Sequence, residues 1–242
     1  MDLFYLILFL VAFLYASVGH GGASGYLALM ALYGMAPQEM KPTALALNLF
    51  VSMTSFIQYY RGNFFRKNIF LIVALASIPM AFLGGTISLE ANLYKKVLGL
   101  LLLFPILKFF MSKSPRPEEL KPHNSFGTLA IGTVVGLLSG MIGIGGGIIL
   151  SPILLLLKWA DQKQTAAISA AFIFVNSLAG LGGMFTQGIS ISPNIWYYVA
   201  VAFTGGLVGA YFGSKKLNQD ALKYVLATVL LMASYKLLFT TA

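Results

Sequence analysis

The 242-residue chain contains no cysteine. That excludes disulfides, thiolate zinc centres, iron–sulfur clusters and cysteine nucleophiles. Charge is nearly as scarce, at 10% of residues, against about 25% in soluble domains. The seven acidic residues, Asp2, Glu39, Glu90, Glu118, Glu119, Asp161 and Asp220, all fall at the ends of apolar runs or between them. This distribution argues against a carboxylate proton relay and against a desolvated cation site. It also argues against the paired carboxylates or His clusters of membrane hydrolases and metalloenzymes, so neither a cofactor, a metal site nor a catalytic residue is assigned. Ordinary soluble globular proteins and disordered chains are excluded by composition.

What fills the chain is apolar: 58% of it is AVILMFWYC. Charge-free runs cover 3–38, 42–60, 68–89, 97–107, 122–157, 164–214 and 224–235. A spanning helix needs about 20 mostly apolar residues to cross a core of about 30 Å. The runs are continuous rather than alternating, which predicts an all-α, polytopic helical membrane protein and not a barrel. No basic residue precedes Leu3, and the first run passes its Ala-Ser segment without a stop, so it reads as a span rather than a cleavable leader. Helix breakers predict helices over 3–18, 24–35, 43–60, 69–88, 94–111, 126–142, 147–157, 165–186, 193–213 and 221–239. Residues 112–125, rich in proline and acid, read as a polar linker between transmembrane repeats at 1–111 and 126–242.

The halves match at an offset of 124–126 residues. Gly19-His20-Gly21-Gly22 falls on Gly143-Ile144-Gly145-Gly146, Arg61-Gly62 on Gln187-Gly188, and Gly84-Gly85 near Gly209-Ala210. Each copy reads as a glycine-broken helix pair followed by three helices. If each broken pair crossed the membrane as one kinked span, Lys and Arg would divide 8 against 8. If each pair turns back, they divide 4 against 12, the bias that the positive-inside rule favours. Inverted repeats are therefore expected, with the linker cytoplasmic and both termini outside. The 36-residue run from 122 to 157 agrees, since about 54 Å of helix is too long for one crossing and short for two. The basic excess is explained by short loops at span ends, not by nucleic acid. Trp196, Tyr197 and Tyr198 resemble an interfacial anchor.

Irregular backbone at membrane depth survives only where it is buried in protein or lines a wet cavity. The helices that begin after each cluster offer N–H groups without helical partners and the positive end of a dipole. Two such ends facing each other near the midplane would bind an anion without a basic side chain. The expected site comprises Gly19, His20, Gly21, Gly22 and Ser24 from the first copy and Gly143, Gly145, Gly146 and Gly147 from the second. Asn48, Ser169 and Asn176 would complete it. The competing reading for the glycines is close helix packing, and for Asn48, Ser52, Ser55, Ser169, Asn176 and Ser177 interhelical hydrogen bonding worth about 0.6–2 kcal/mol each. Ser24 and Thr43 fall at expected helix starts, where hydroxyls cap; Gln58 and Gln187 would line an entrance. His20 is the only ionisable side chain well inside a span, which makes it a functional candidate, although its counterpart is Ile144.

The segment Ser139-Gly-Met-Ile-Gly-Ile-Gly-Gly-Gly-Ile-Ile-Leu-Ser-Pro152, followed by Ala166-Ala-Ile-Ser-Ala-Ala171, resembles the sulfite exporter TauE/SafE family of membrane permeases. Val18-Gly-His-Gly-Gly-Ala-Ser-Gly-Tyr26 looks like the matching first-copy motif. The resemblance implies a multi-pass protein of the cytoplasmic membrane. It further implies export of a small sulfur-containing anion, sulfite or an organosulfonate, by a secondary transporter. A passive anion channel is the alternative. The expected partners are the anion and the lipid bilayer, with a homo-oligomer left open.

Overall fold

The computed structural model describes residues 2–111, 119–189, 191, 195–215, 231, 234, 235 and 238. The expected helix at 221–239, apart from 231, 234, 235 and 238, and the first half of the 112–125 linker lie outside the described residues. Nine helices are present among those described: α1 Asp2–Ser17, α2 Ala23–Leu32, α3 Pro37–Arg61, α4 Lys67–Thr86, α5 Ala91–Met111, α6 Ser125–Ile142, α7 Gly147–Leu156, α8 Gln162–Thr186 and α9 Ile195–Lys215. The described residues form no strand. Four of the helices, α4, α6, α8 and α9 (to Ser214), are long and apolar enough to cross a membrane.

Helix starts differ from expectation by three residues or more at α3, at α5, which begins at Ala91 rather than 94, and at α8. α3 begins at Pro37 rather than at 43, because a proline at the first helical position sacrifices an N–H that has no partner there anyway. Its second proline, Pro42, lies inside the helix, past the first turn, and leaves one carbonyl of that turn without its helical donor. Thr43 is therefore a helix-interior residue and not a cap, and Lys41 lies in the helix instead of a loop. α8 starts at Gln162 rather than at 165 because Asp161 and Gln164 form a reciprocal capping box.

Both short helices double back. Phe4, at the start of α1, stacks edge-on against Tyr33, at the end of α2, with ring centroids 5.1 Å apart. Gly25 of α2 lies directly against Val11 and Tyr15 of α1. In the second half, the Lys121 N–H donates to the Lys158 carbonyl at 2.8 Å, and His123 meets Trp159 at 6.4 Å. These contacts tie the start of α6 to the end of α7. The first hairpin opens where α3 begins. The second opens beside Arg66 and Lys67, where α4 begins, at the far end of α3. The hairpins thus enter the bundle from opposite ends, and their tips pass each other in its interior.

The halves interlock crosswise: α6 packs on α4, α9 on α1, and α3 on α8 at the centre. Gly132, Gly136 and Gly140 of α6 lie on the carbonyls of Val73, Ser77 and Ala81 of α4. Gly205, Gly209 and Gly213 of α9 lie on those of Phe9, Phe13 and Ser17 of α1. Four-residue spacing puts each trio on one helix face, and the missing side chains let the backbones touch, the packing mode of membrane helices. Close packing of backbones is what these six glycines permit.

Candidate functional site

α3 and α8 are each 25 residues long, and Asn48 and Ile173, each one residue before its helix midpoint, are equivalent positions at the 125-residue offset. Both hairpin tips converge there. A Cβ on Gly21 would meet Asn48 and Ile173, and a Cβ on Gly145 would meet the same two residues. One step out, Gly19 abuts Ala166 and Gly143 abuts Lys41, again an equivalent pair. Gly22 and Gly146 cap α2 and α7 in the left-handed region, at φ 99° and 76°. Glycine takes that conformation without steric cost, which turns each chain sharply into its next helix.

The tips expose main-chain donors. Among the described residues, the N–H groups of Gly21, Gly22, Gly145, Gly146 and Gly147 make no hydrogen bond within the protein. All five glycines are buried. Buried, unmatched N–H groups are costly in hydrocarbon and are rare without a reason. The two helix starts are not equivalent. At α2 the first helical N–H, of Ala23, donates to Asn48 Oδ1 at 3.0 Å. At α7 the equivalent neighbour is Ile173, which cannot accept, and Gly147 leaves room for its branched side chain. The α7 end therefore keeps more of its positive potential than the α2 end.

Side chains join the halves around the tips. Asn48 Nδ2 donates to Ser177 Oγ at 3.3 Å. His20 Nδ1 lies 3.1 Å from the Val18 carbonyl, and its Nε2 lies 2.9 Å from Ser151 Oγ. A carbonyl can only accept, so Nδ1 carries a hydrogen. Ser151 also contacts Ser169 Oγ at 2.7 Å and the Gly147 carbonyl at 2.8 Å. His20, on the first tip, thus connects to α7 and α8. Ser24 donates to the Tyr15 hydroxyl at 2.8 Å rather than capping α2.

Asn176 lies apart from this group. It donates to Ser77 of α4 at 3.0 Å and to the Phe172 carbonyl at 2.8 Å, so its partners are α4 and its own helix. Ser177, one turn past Ile173, takes the central place expected of Asn176. Ser52, the equivalent of Ser177, is buried and its hydroxyl has no hydrogen-bond partner among the described residues. Gln58 lines an outer apolar groove beside Phe203, and Gln187 caps the end of α8; neither borders the tips.

Residue-type reasoning missed Lys41. Its side chain is only 7% exposed. Nζ donates to the Ile87 carbonyl at 3.4 Å and lies 5.7 Å from the centre of the Tyr94 ring. No carboxylate pairs with it among the described residues. A buried, acid-free ammonium one residue pair from a glycine tip is a functional feature by default. The Tyr94 hydroxyl in turn donates to the Ile142 carbonyl at 2.9 Å, ending α6, as the Tyr59 hydroxyl does to Ser17 at 3.1 Å, ending α1. Tyr26, packed against Gly22, holds a further buried hydroxyl.

The Asn48 bridge makes a test. Asn48→Leu removes an acceptor from Ala23 and a donor from Ser177 while preserving bulk. Unsatisfied buried groups cost about 1–3 kcal/mol each, so the thermal transition in detergent should fall by several degrees. An unmoved midpoint would show that the bridge does not hold the tips.

Residues 4–237 match the family model described as Sulfite exporter TauE/SafE. The chain is 37% identical over 238 residues to the "Probable membrane transporter protein y4hK" of Sinorhizobium fredii, covering 96% of this chain and 95% of that one. It is 24% identical over 239 residues to the "Probable membrane transporter protein YjnA" of Bacillus subtilis, covering 91% and 92%. No solved structure matches the chain. Nearly full-length agreement, together with the all-helical, multi-span architecture, leads to one conclusion: the chain belongs to the TauE/SafE sulfite exporter family of membrane transporters, and is a transporter rather than an enzyme.

Proposed function

We propose that this protein is a secondary transporter that carries a small sulfur-containing anion, sulfite or an organosulfonate, outward across the cytoplasmic membrane. The observation that carries the reading is the pair of buried tips whose unmatched N–H groups converge on the middle of α3 and α8. Main-chain donors and helix-start dipoles favour negative oxygens. In the proposed site Gly145, Gly146 and Gly147 hold the anion most closely, since Asn48 already occupies the α2 end. Ser52 and Ser169 supply hydroxyls. Lys41 lies seven residues from Asn48 along α3, about 10 Å, and adds attraction of about 1.7 kcal/mol at an effective dielectric of about 20.

In this reading residues 1–111 and 126–242 are inverted repeats joined by the 112–125 linker. The opposed hairpins support it. So does charge: Arg61, Arg66, Lys67, Lys121, Lys158 and Lys163 gather at the α4-start end, and Lys41, Lys95 and Lys96 at the other. The richer end is assigned to the cytoplasm by the positive-inside rule. Burial of all five donor glycines favours a carrier with alternating access over a continuous pore.

Purified protein titrated with sulfite, thiosulfate, sulfoacetate, sulfate and acetate tests the cargo class. Sulfur anions are expected to bind and acetate to bind weakly. Lys41→Met should weaken sulfite binding roughly twentyfold, as an attraction of about 1.7 kcal/mol implies. Counterflow of labelled sulfite in vesicles is expected of a carrier. Flux without counterflow would establish the channel instead, and no binding of any sulfur anion would overturn the cargo.

A further inference from the structure

A cavity of about 430 Å³ lies at the α4-start end, where the second hairpin opens against the first half. Arg66, Lys67, Lys121 and His123 line it together with the aromatic side chains of Phe65 and Trp159. No carboxylate borders it. The nearby acids are engaged elsewhere: Glu119 pairs with Lys158 at 3.2 Å, and Asp161 caps α8 by accepting from the Gln164 N–H at 2.9 Å. The tips, Asn48 and Lys41 take no part in it, so it is separate from the transport site.

Position decides what the cavity would hold. α4 begins at Lys67 and α6 at Ser125, and both are long enough to span. The cavity therefore sits at the ends of two spans, at the depth of lipid headgroups. Three fixed cations beside aromatic rings match a phosphate-bearing headgroup whose acyl chains stay in lipid. We propose that this cavity binds the headgroup of an anionic phospholipid and so pins the opening of the α6–α7 hairpin to the start of α4.

The test uses the full-length protein in neutral detergent. Phosphatidylglycerol is expected to raise its thermal transition and phosphatidylcholine to leave it nearly unchanged. Each Lys or Arg beside an anionic surface accounts for roughly fivefold in affinity. The double variant Arg66→Gln/Lys121→Gln should therefore need about twenty-five times more phosphatidylglycerol for the same shift. Lys95→Gln/Lys96→Gln, at the opposite end, should respond as the parent does. Equal shifts with both lipids in the parent chain would overturn the proposal, even if the double variant failed to fold. A phosphatidylglycerol response that survives in the double variant would also overturn it. So would an equal shift from inorganic phosphate alone, which would assign the cavity to soluble anions. Sulfite binding is read in the same samples, so failure here leaves the transport reading standing.

Discussion

Gly146→Leu is expected to abolish anion binding, while Gly34→Leu leaves it intact. The two positions share a left-handed φ of 76°, so any backbone strain from a side chain is common to both. That strain is about 1–2 kcal/mol. Their surroundings differ. A Cβ at Gly146 would lie 2.7 Å from Phe172, 3.1 Å from Val135 and 3.2 Å from Ser139, whereas at Gly34 nothing lies within 4 Å. Leucine at 146 must therefore displace the tip, and with it the N–H groups of residues 145–147. Hydrogen bonds to a charged partner contribute about 1.5–3 kcal/mol each, so losing two should cut sulfite affinity at least a hundredfold. Calorimetric titration of both variants, each shown to be monodisperse by gel filtration, gives the comparison. Equal affinities in the two would place the anion elsewhere.

Gly136→Leu should prevent assembly of the bundle, while Gly127→Leu on the same helix is tolerated. A Cβ at Gly136 would lie 2.6 Å from Ser77 Cα and 2.9 Å from its carbonyl carbon. Backbone cannot rotate aside as a side chain can, so α4 and α6 must separate along their length. Overpacking of yielding cores costs about 1–3 kcal/mol, and here the cost lies at or beyond that upper value. At Gly127 the nearest atom, at 3.5 Å, is the tip of Trp159, an ordinary contact. The fraction of monodisperse protein surviving a heating series should collapse for the first variant and hold for the second. Similar survival would show that the α4–α6 seam does not depend on backbone contact.

The sequence was informative where a residue's effect is local or periodic. Absence of charge marks the spans because an unpaired charge in lipid is so costly, and clustered glycines mark the tips because few other residues turn there. The 36-residue length of the second broken run already argued for a hairpin, which the contact between Lys121 and Lys158 now supplies. What stayed hidden depended on rotation and on distant neighbours. Lys41, between Pro37 and Pro42, reads as loop, yet the first proline begins the helix that buries it. Asn176 and Ser177 are neighbours in sequence, but one residue is a rotation of about 100°, and of the two only Ser177 meets Asn48. Ser151 and Tyr15 carried no signal at all, because their partners His20 and Ser24 lie across a tip whose fold had to be known first.

The notched seams also constrain how the molecule moves. In both, glycines of the second half receive carbonyls of the first at matched intervals of one helical turn, and at the α4–α6 seam Gly84 of the first half receives the Leu137 carbonyl in return. Teeth seated in this way resist sliding: a shift of less than a full turn, about 5.4 Å, would drive carbonyl against Cα. Rotation about the line of teeth meets no such obstacle. For the alternating access proposed above, such seams favour tilting of one half against the other over sliding.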